Sequence, residues 1–388
     1  NADDQLLYCT MQSVLKRCCE HFHGIAKLHT PLSSIILSSA SCLVPRGTRN
    51  NSVIRLASSL TATPSMVKAF RIHELGGPEV LKWEDVEIGE PGDGEIRVRH
   101  KAIGLNFIDV YFRKGTYKVP LPFTPGMEAV GEIVAVGKGV TDAKIGDCVG
   151  YAGNPIGSYA QEQILPAKNV VPIPSSLDPV IAAAALLKGM TAQYLLRRCF
   201  KVESGHTILV HAAAGGVGSL LCQWANAIGA TVIGTVSTIE KATQAKEDGC
   251  AHVILYKDED FVSRVKQITA GEGVDVVYDA VGKDTFEGSL ECLKTRGYMV
   301  SYGQSSGGVD PVPLSVLSPK SLFLTRPTLM HYNATREELL ECAGDLFANI
   351  GSGVLRVRVN HTYPLSDAAK AHEDLELRKT SGSIVFIP

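Results

Sequence analysis

Residues 207–218 read Thr207-Ile208-Leu209-Val210-His211-Ala212-Ala213-Ala214-Gly215-Gly216-Val217-Gly218, and this stretch decides the fold. A short apolar strand runs into a glycine-rich turn, and the apolar run Ser219-Leu220-Leu221-Cys222-Gln223-Trp224-Ala225 after it has the make-up of a helix. Strand, tight turn and helix in that order bring backbone amides and a helix N-terminus up to a pyrophosphate. Ala213 stands where the first glycine of the usual Gly-x-Gly-x-x-Gly falls. Ala214, Gly215, Gly216, Val217 and Gly218 are the candidate phosphate-side residues of a nicotinamide dinucleotide. His211, at the end of the buried strand, reads as a core histidine with its hydrogen bonds made.

Downstream, apolar strands at 231–236, 252–255, 274–278 and 298–302 alternate with helices from Gly216, around 240–248 and from Phe261. That grammar predicts a doubly wound parallel sheet covered on both faces. The second strand ends Gly234-Thr235-Val236-Ser237-Thr238-Ile239-Glu240-Lys241. A site preferring NADH places an acid at that strand end, whereas small hydroxyls and then a lysine stand here, so NADPH is expected, with Ser237 and Lys241 on its 2′-phosphate.

Upstream, 67–72, 95–101, 131–137, 147–151 and 159–164 alternate as short strands between turns, which predicts a partly closed antiparallel barrel. Asp178-Pro179 then opens a helix, an N-cap followed by proline at the first position. The alternating strand 382–387 is expected to rejoin the barrel. The expected domains are a barrel of 66–188 with 328–388 and a nucleotide domain of 189–327. The segment 321–325 reads as an edge strand that a second copy would cover.

From Met66 onward acidic residues outnumber basic ones, which disfavours nucleic acid as the main partner. No uninterrupted apolar run approaches the roughly 20 residues of a bilayer-spanning helix, so no span is expected. The 10 cysteines are scattered, with Cys18-Cys19 the only close pair, which excludes a disulfide framework and a Cys-x-x-Cys knuckle and favours a reducing compartment. Between residues 11 and 65 the only acid is Glu20, and Ser and Arg recur: the composition of an organelle transit peptide, a mitochondrion ahead of a chloroplast. The alternative is an addressless tail on a cytoplasmic protein. Residues 1–10, where Asp3-Asp4 precede Met11, are expected to be upstream-frame sequence.

Taken in order, Gly104-Leu105-Asn106-Phe107-Ile108-Asp109, residues 211–218, Tyr278-Asp279-Ala280-Val281-Gly282, residues 301–307 and Thr325-Arg326-Pro327 make residues 66–388 resemble the medium-chain dehydrogenase/reductase superfamily, closest to its ζ-crystallin-like quinone oxidoreductases. The resemblance implies a GroES-like barrel beside a Rossmann domain, a homodimer, and NADPH-dependent reduction of quinones, with conjugated alkenals or enones as rival acceptors and a crystallin-like or RNA-binding role as the alternative of another class. Zinc alcohol dehydrogenases of that superfamily hold a catalytic metal with a Cys, the His of a Gly-His-Glu motif and a further Cys or acid. At the matching places stand Asn106 and Gly126-Met127-Glu128, so no metal is expected. By the same resemblance Asn106, Tyr194, Tyr256, Tyr302, Ser305 and Arg378 join the loop, Ser237 and Lys241 on the cofactor. Tyr111, Tyr117 and Tyr151 are expected to face a small-molecule quinone or enone, and Asn106 to stand beside the reacting ring.

Overall fold

The computed structural model of the protein describes residues 65–388. The segment read as a transit peptide or tail lies, Ser65 aside, outside the described residues. The first region holds β1 (Ser65–Ile72), β2 (Leu81–Ile88), β3 (Glu95–Leu105), α1 (Phe107–Arg113), β4 (Glu128–Val136), β5 (Cys148–Ala152), β6 (Glu162–Pro166) and β7 (Val171–Pro172). After α2 (Pro179–Tyr194) come β8 (Thr207–Val210), α3 (Gly216–Ile228), β9 (Thr231–Val236), α4 (Ile239–Glu247), β10 (His252–Leu255), α5 (Phe261–Ile268), β11 (Val274–Asp279), α6 (Phe286–Cys292), β12 (Leu293–Ser301) and β13 (Phe323–Thr325). The chain closes with α7 (Leu329–Tyr332), α8 (Arg336–Gly351), β14 (Val359–Pro364), α9 (Ala368–Glu376) and β15 (Ser383–Ile387).

Strands β8 to β13 form one six-stranded parallel sheet in the order β10-β9-β8-β11-β12-β13. The order reverses between β8 and β11, and in such a sheet ligands bind at that switch point, outside the carboxyl ends of the strands. The other main sheet runs β14-β15-β3-β4-β5-β7, with β6 paired to β3. Strand β15 pairs antiparallel with β3, Ile384 opposite Leu105, so the last strand does return to the first region.

Helix α2 starts where Asp178 caps it, its carboxylate accepting from Val180 N at 2.7 Å, with Pro179 in the first turn. Its small side chains Ala182, Ala183, Ala184 and Ala185 are wholly buried, which lets the helix lie close against β3, β4, β5 and β15 on one side and α3 and α8 on the other. With the π-helical turn Leu195–Cys199 it makes 21 residues apolar enough to cross a membrane by length and composition. No uninterrupted apolar run betrays this in the sequence, and 78% of its most apolar window is buried in the fold, so it is a core helix.

Five helices go beyond the elements expected from sequence, α1, α6, α7, α8 and α9, and two of them begin with a capping box: α1 with Asn106 and Asp109, α8 with Thr335 and Glu338. Helix α1 also carries Arg113, fully buried, which pairs with Glu376 of α9 and donates from Nη1 to His372 Nδ1 at 3.0 Å. Arginine has no acceptor, so Nδ1 accepts and the ring proton sits on Nε2, facing the Tyr159 hydroxyl at 3.0 Å. Tyr159 in turn donates to Asp109 Oδ2 at 3.1 Å. Burial, and then the Arg113 cation, push His372 down to about 3.

Over the interval from about 6.5 down to about 3 the unfolded chain takes up a proton at this histidine that the folded chain refuses, so stability is lost as pH falls through it. Each pH unit crossed within that interval costs about 1.4 kcal/mol at this histidine, while Asp109, its carboxyl raised to about 7, works in the opposite sense, so the part of the drop in urea midpoint between pH 7 and pH 4 that His372 carries is the equivalent of a few kcal/mol. In His372→Gln that drop should be visibly smaller; an identical pH dependence in the two proteins would contradict the assignment.

Candidate active site

Beyond β8 the chain is held from both neighbouring strands: His211 N donates to Tyr278 O at 3.0 Å and Ala213 N to Thr235 O at 3.1 Å. Ala212 between them takes φ +54°, a left-handed conformation that costs an alanine roughly 1–2 kcal/mol. Gly215 is the N-cap of α3 and brings no side-chain cap. The amides of Gly216, Val217 and Gly218 precede the first helical bond, which Ser219 N makes to Gly215 O at 2.8 Å, so they are open to an anion. A methyl group on Gly218 would lie 2.3 Å from Ala212 O, so only glycine lets the helix begin this close to the turn.

These amides face a cleft of about 1060 Å³. At one end, Lys241 Nζ donates to Arg378 O at 3.0 Å, and Arg378 Nη1 to the Tyr256 hydroxyl at 3.2 Å, with Ser237 on the same wall. Burial, then the neighbouring cations Lys257 and Arg378, hold Lys241 below the usual lysine range. Three cations crowded together in this way favour an anion between them. Tyr194, Ala214, Tyr302 and Ser305 also line the cleft.

At the other end Asn106, Phe107, Tyr111 and Tyr117 converge. The rings of Phe107 and Tyr111 lie 5.4 Å apart, and those of Tyr111 and Tyr117 lie 5.5 Å apart, edge to face. Tyr111 accepts from Gln304 N at 2.8 Å, which leaves its own hydroxyl proton to donate, and burial pushes the phenol up to about 12. Tyr151 is a correction. It does not line the cleft: its hydroxyl sits in the barrel core, 2.8 Å from His100 Nε2 and donating to Gln163 Oε1 at 2.5 Å, with the ring among barrel side chains. His211, read as a core residue, is buried with its two ring nitrogens 3.0 Å from Thr235 Oγ1 and Ser289 Oγ.

Beneath Asn106 lies a network that the sequence did not announce. Glu128, without exposed surface, accepts from Leu187 N at 2.6 Å through Oε1; through Oε2 it accepts from Asn106 Nδ2 at 2.8 Å and from Lys188 Nζ at 2.9 Å. Lys188 and Thr191, on α2, also line the cleft. Asp109 accepts from Asn106 N at 2.9 Å, and burial raises its carboxyl to about 7. The only sign of it in the sequence is Glu128 beside Met127; nothing local in Leu186-Leu187-Lys188-Gly189 marks a lysine aimed into a cleft.

The zinc-binding dehydrogenase signature matches residues 216–349, and the alcohol dehydrogenase GroES-like domain signature matches residues 92–175. The chain is 48% identical to the quinone oxidoreductase of Pseudomonas aeruginosa over 83% of its own length and all of that protein's. The chain belongs to the quinone oxidoreductase family. A 2-haloacrylate reductase from a Burkholderia species is 47% identical, over 83% of this chain and 99% of that one. A crystal structure of Escherichia coli quinone oxidoreductase complexed with NADPH superposes with a TM-score of 0.81 at 48% identity, over 83% of this chain and 100% of that one.

The zinc named in the first signature does not suit this member of the quinone oxidoreductase family. The side chain of Asn106 is a weak donor whose amide hydrogens point at Glu128 and Gly104 O, Met127 offers only a thioether, and the Glu128 oxygens already receive three donors. Among the described residues no group of three or more His, Cys, Asp or Glu gathers elsewhere to hold a metal.

The network leaves no room behind it. A methyl group on Gly104 would sit 2.0 Å from Glu128 Oε2 and 2.5 Å from Ala183 O. Gly104→Ala is therefore expected to lower unfolding free energy by about 1–3 kcal/mol in urea titration, by driving the carboxylate off its donors; full stability in that variant would show the network to be loosely held.

Proposed function

We propose that this chain is an NADPH:quinone oxidoreductase that works without zinc. The observation that carries the reading is a cleft that joins an open helix terminus and a cation cluster at one end to an aromatic end without metal ligands at the other. The residues present suit a bound NADPH: the amides of Gly216, Val217 and Gly218 would hold the pyrophosphate, and Ser237, Lys241, Tyr256 and Arg378 the 2′-phosphate. There the cofactor supplies a hydride to an electron-poor acceptor. The chain's own groups bind and orient. Asn106, Tyr194, Tyr302 and Ser305 would flank the nicotinamide end, while Tyr111 and Tyr117 offer faces for a flat quinone and a hydroxyl for its oxygen.

A second reading, reduction of conjugated alkenals or enones, draws on the Burkholderia relative, whose name is that of a reductase of a conjugated acid. Both acceptors need the same hydride donor, so NADPH oxidation with a small quinone and with a conjugated alkenal separates them; inertness toward both would reject a reductase altogether.

Two further parts of the proposal concern assembly and address. Strand β13 forms the outer edge of its sheet, with Phe323 and Leu324 49% and 38% exposed, so a homodimer would cover it. Residues 1–65 would carry the enzyme to an organelle, a mitochondrion ahead of a chloroplast, by their acid-poor, Ser- and Arg-bearing composition.

Lys241→Ala is expected to erode the preference for NADPH over NADH by about 10-fold or more, the worth of one charge-assisted hydrogen bond, read as the ratio of the two kcat/KM values. An unchanged ratio would remove Lys241 from the phosphate site. Sedimentation at micromolar concentration should give twice the chain mass; a monomer would leave the edge strand uncovered and refute the dimer.

A further inference from the structure

Among the described residues four cations line the cleft: Lys188, Lys241, Arg326 and Arg378. Lys241 and Arg378 belong to the phosphate end. Arg326 spends its guanidinium on Ser301 O, Gly303 O and the Gln304 amide oxygen, and an arginine gives up no proton in any case. Lys188 is different. It is the one ammonium that shares a carboxylate oxygen with Asn106, at the aromatic end, and its side chain is only 6% exposed. It also touches the nucleotide loop: a methyl group on Gly216 would lie 2.6 Å from Lys188 Cδ. An ammonium has three N–H donors, and Glu128 takes one.

In the zinc alcohol dehydrogenases the residues matching Asn106 and Met127 hold the metal that polarises the substrate oxygen. Here a protein-borne cation stands in that neighbourhood, one shared oxygen away from Asn106. We propose that the Lys188 ammonium is the proton donor of the reduction, held by Glu128 between the nucleotide loop and Asn106. The proposal rests on the reductase reading above. Addition of hydride to a quinone or conjugated carbonyl leaves an electron pair and a negative charge on oxygen. The positive charge of Lys188, on a side chain only 6% exposed, stabilises that oxyanion as it develops. An O–H bond then forms as an N–H bond of Lys188 breaks, the bonding pair stays on nitrogen as a neutral amine, and water returns the proton. Glu128 is a positioning residue, its carboxylate holding the ammonium at 2.9 Å; it and Asp109 are the acids facing the ammonium.

The test compares Lys188→Met and Lys188→Ala with the double variant Glu128→Gln/Lys188→Met. The single variants strand a buried carboxylate, while the double variant removes both charges and keeps the shape. The expected result is a fall in kcat of about 100-fold or more in the folded double variant, with the NADPH dissociation constant from fluorescence unchanged. Methylammonium should restore part of kcat in Lys188→Ala. Without turnover, 4-nitrophenol bound to the NADP⁺-loaded protein should ionise at lower pH in the wild type than in the double variant, seen in its visible absorption. A double variant that keeps its kcat overturns the proposal. So does a loss of NADPH affinity in step with kcat and with no amine rescue, which would make Lys188 structural. A wild type inert to every acceptor would instead overturn the reductase reading and this assignment with it.

Discussion

A carboxylate with no exposed surface must find donors inside the protein, because an unsatisfied buried charge costs several kcal/mol. Glu128 finds them on separate elements: the Leu187 amide and Lys188 ammonium of α2, and the Asn106 amide at the head of α1. The sheet strand that carries it, the central helix and the short helix at the aromatic end are thereby fixed to one another at a single side chain. Gly104 exists as glycine because the carboxylate fills the space a side chain would need. Breaking such a pair is far costlier than never having built it, since the remaining charge stays buried.

The far end of the cleft is arranged on the opposite principle. Lys241, Lys257 and Arg378 are gathered with only the exposed Asp284, 3.9 Å from Arg378, to offset them, so the fold carries repulsion there that a bound anion would relieve. Arg378 comes from the segment after α9, and Gly382 four residues later donates its amide to Ala214 O at 3.0 Å. Both walls of the phosphate end are thus registered by the closing stretch of the chain. A balanced charge pair gives the aromatic end its geometry, and an unbalanced cluster gives the other end its affinity.

The parallel sheet, the turn at 212–218 and the place of Lys241 on the cleft wall are legible because each rests on local order: apolar runs, glycines at set spacing, a hydroxyl-rich strand end. The capping boxes at Asn106 and Thr335 were equally local, and α1 and α8 could have been read from them. Tyr151 differs from its expected place for another reason. A tyrosine on a barrel strand faces in or out according to register, and the pairing of β5 with β4, Tyr151 opposite Ala129, turns this ring inward to His100 and Gln163. Lys188 is not legible in the sequence, because a lysine in an alanine-rich helix has the local pattern of a solvated charge. Only the approach of Glu128, 60 positions away, makes burial tolerable.

The pairing of β15 with β3 has a consequence for how the protein is made. Synthesis proceeds from the N-terminus, and the edge of β3 at Ile103 to Leu105 emerges from the ribosome nearly 280 residues before its partner at Ile384 to Phe386. The parallel sheet, whose strands are contiguous in sequence between Thr207 and Thr325, is complete before that partner exists. The barrel must therefore wait with an open, apolar strand edge until β15 emerges, which makes the nascent chain, more than the folded one, the form most exposed to misassociation.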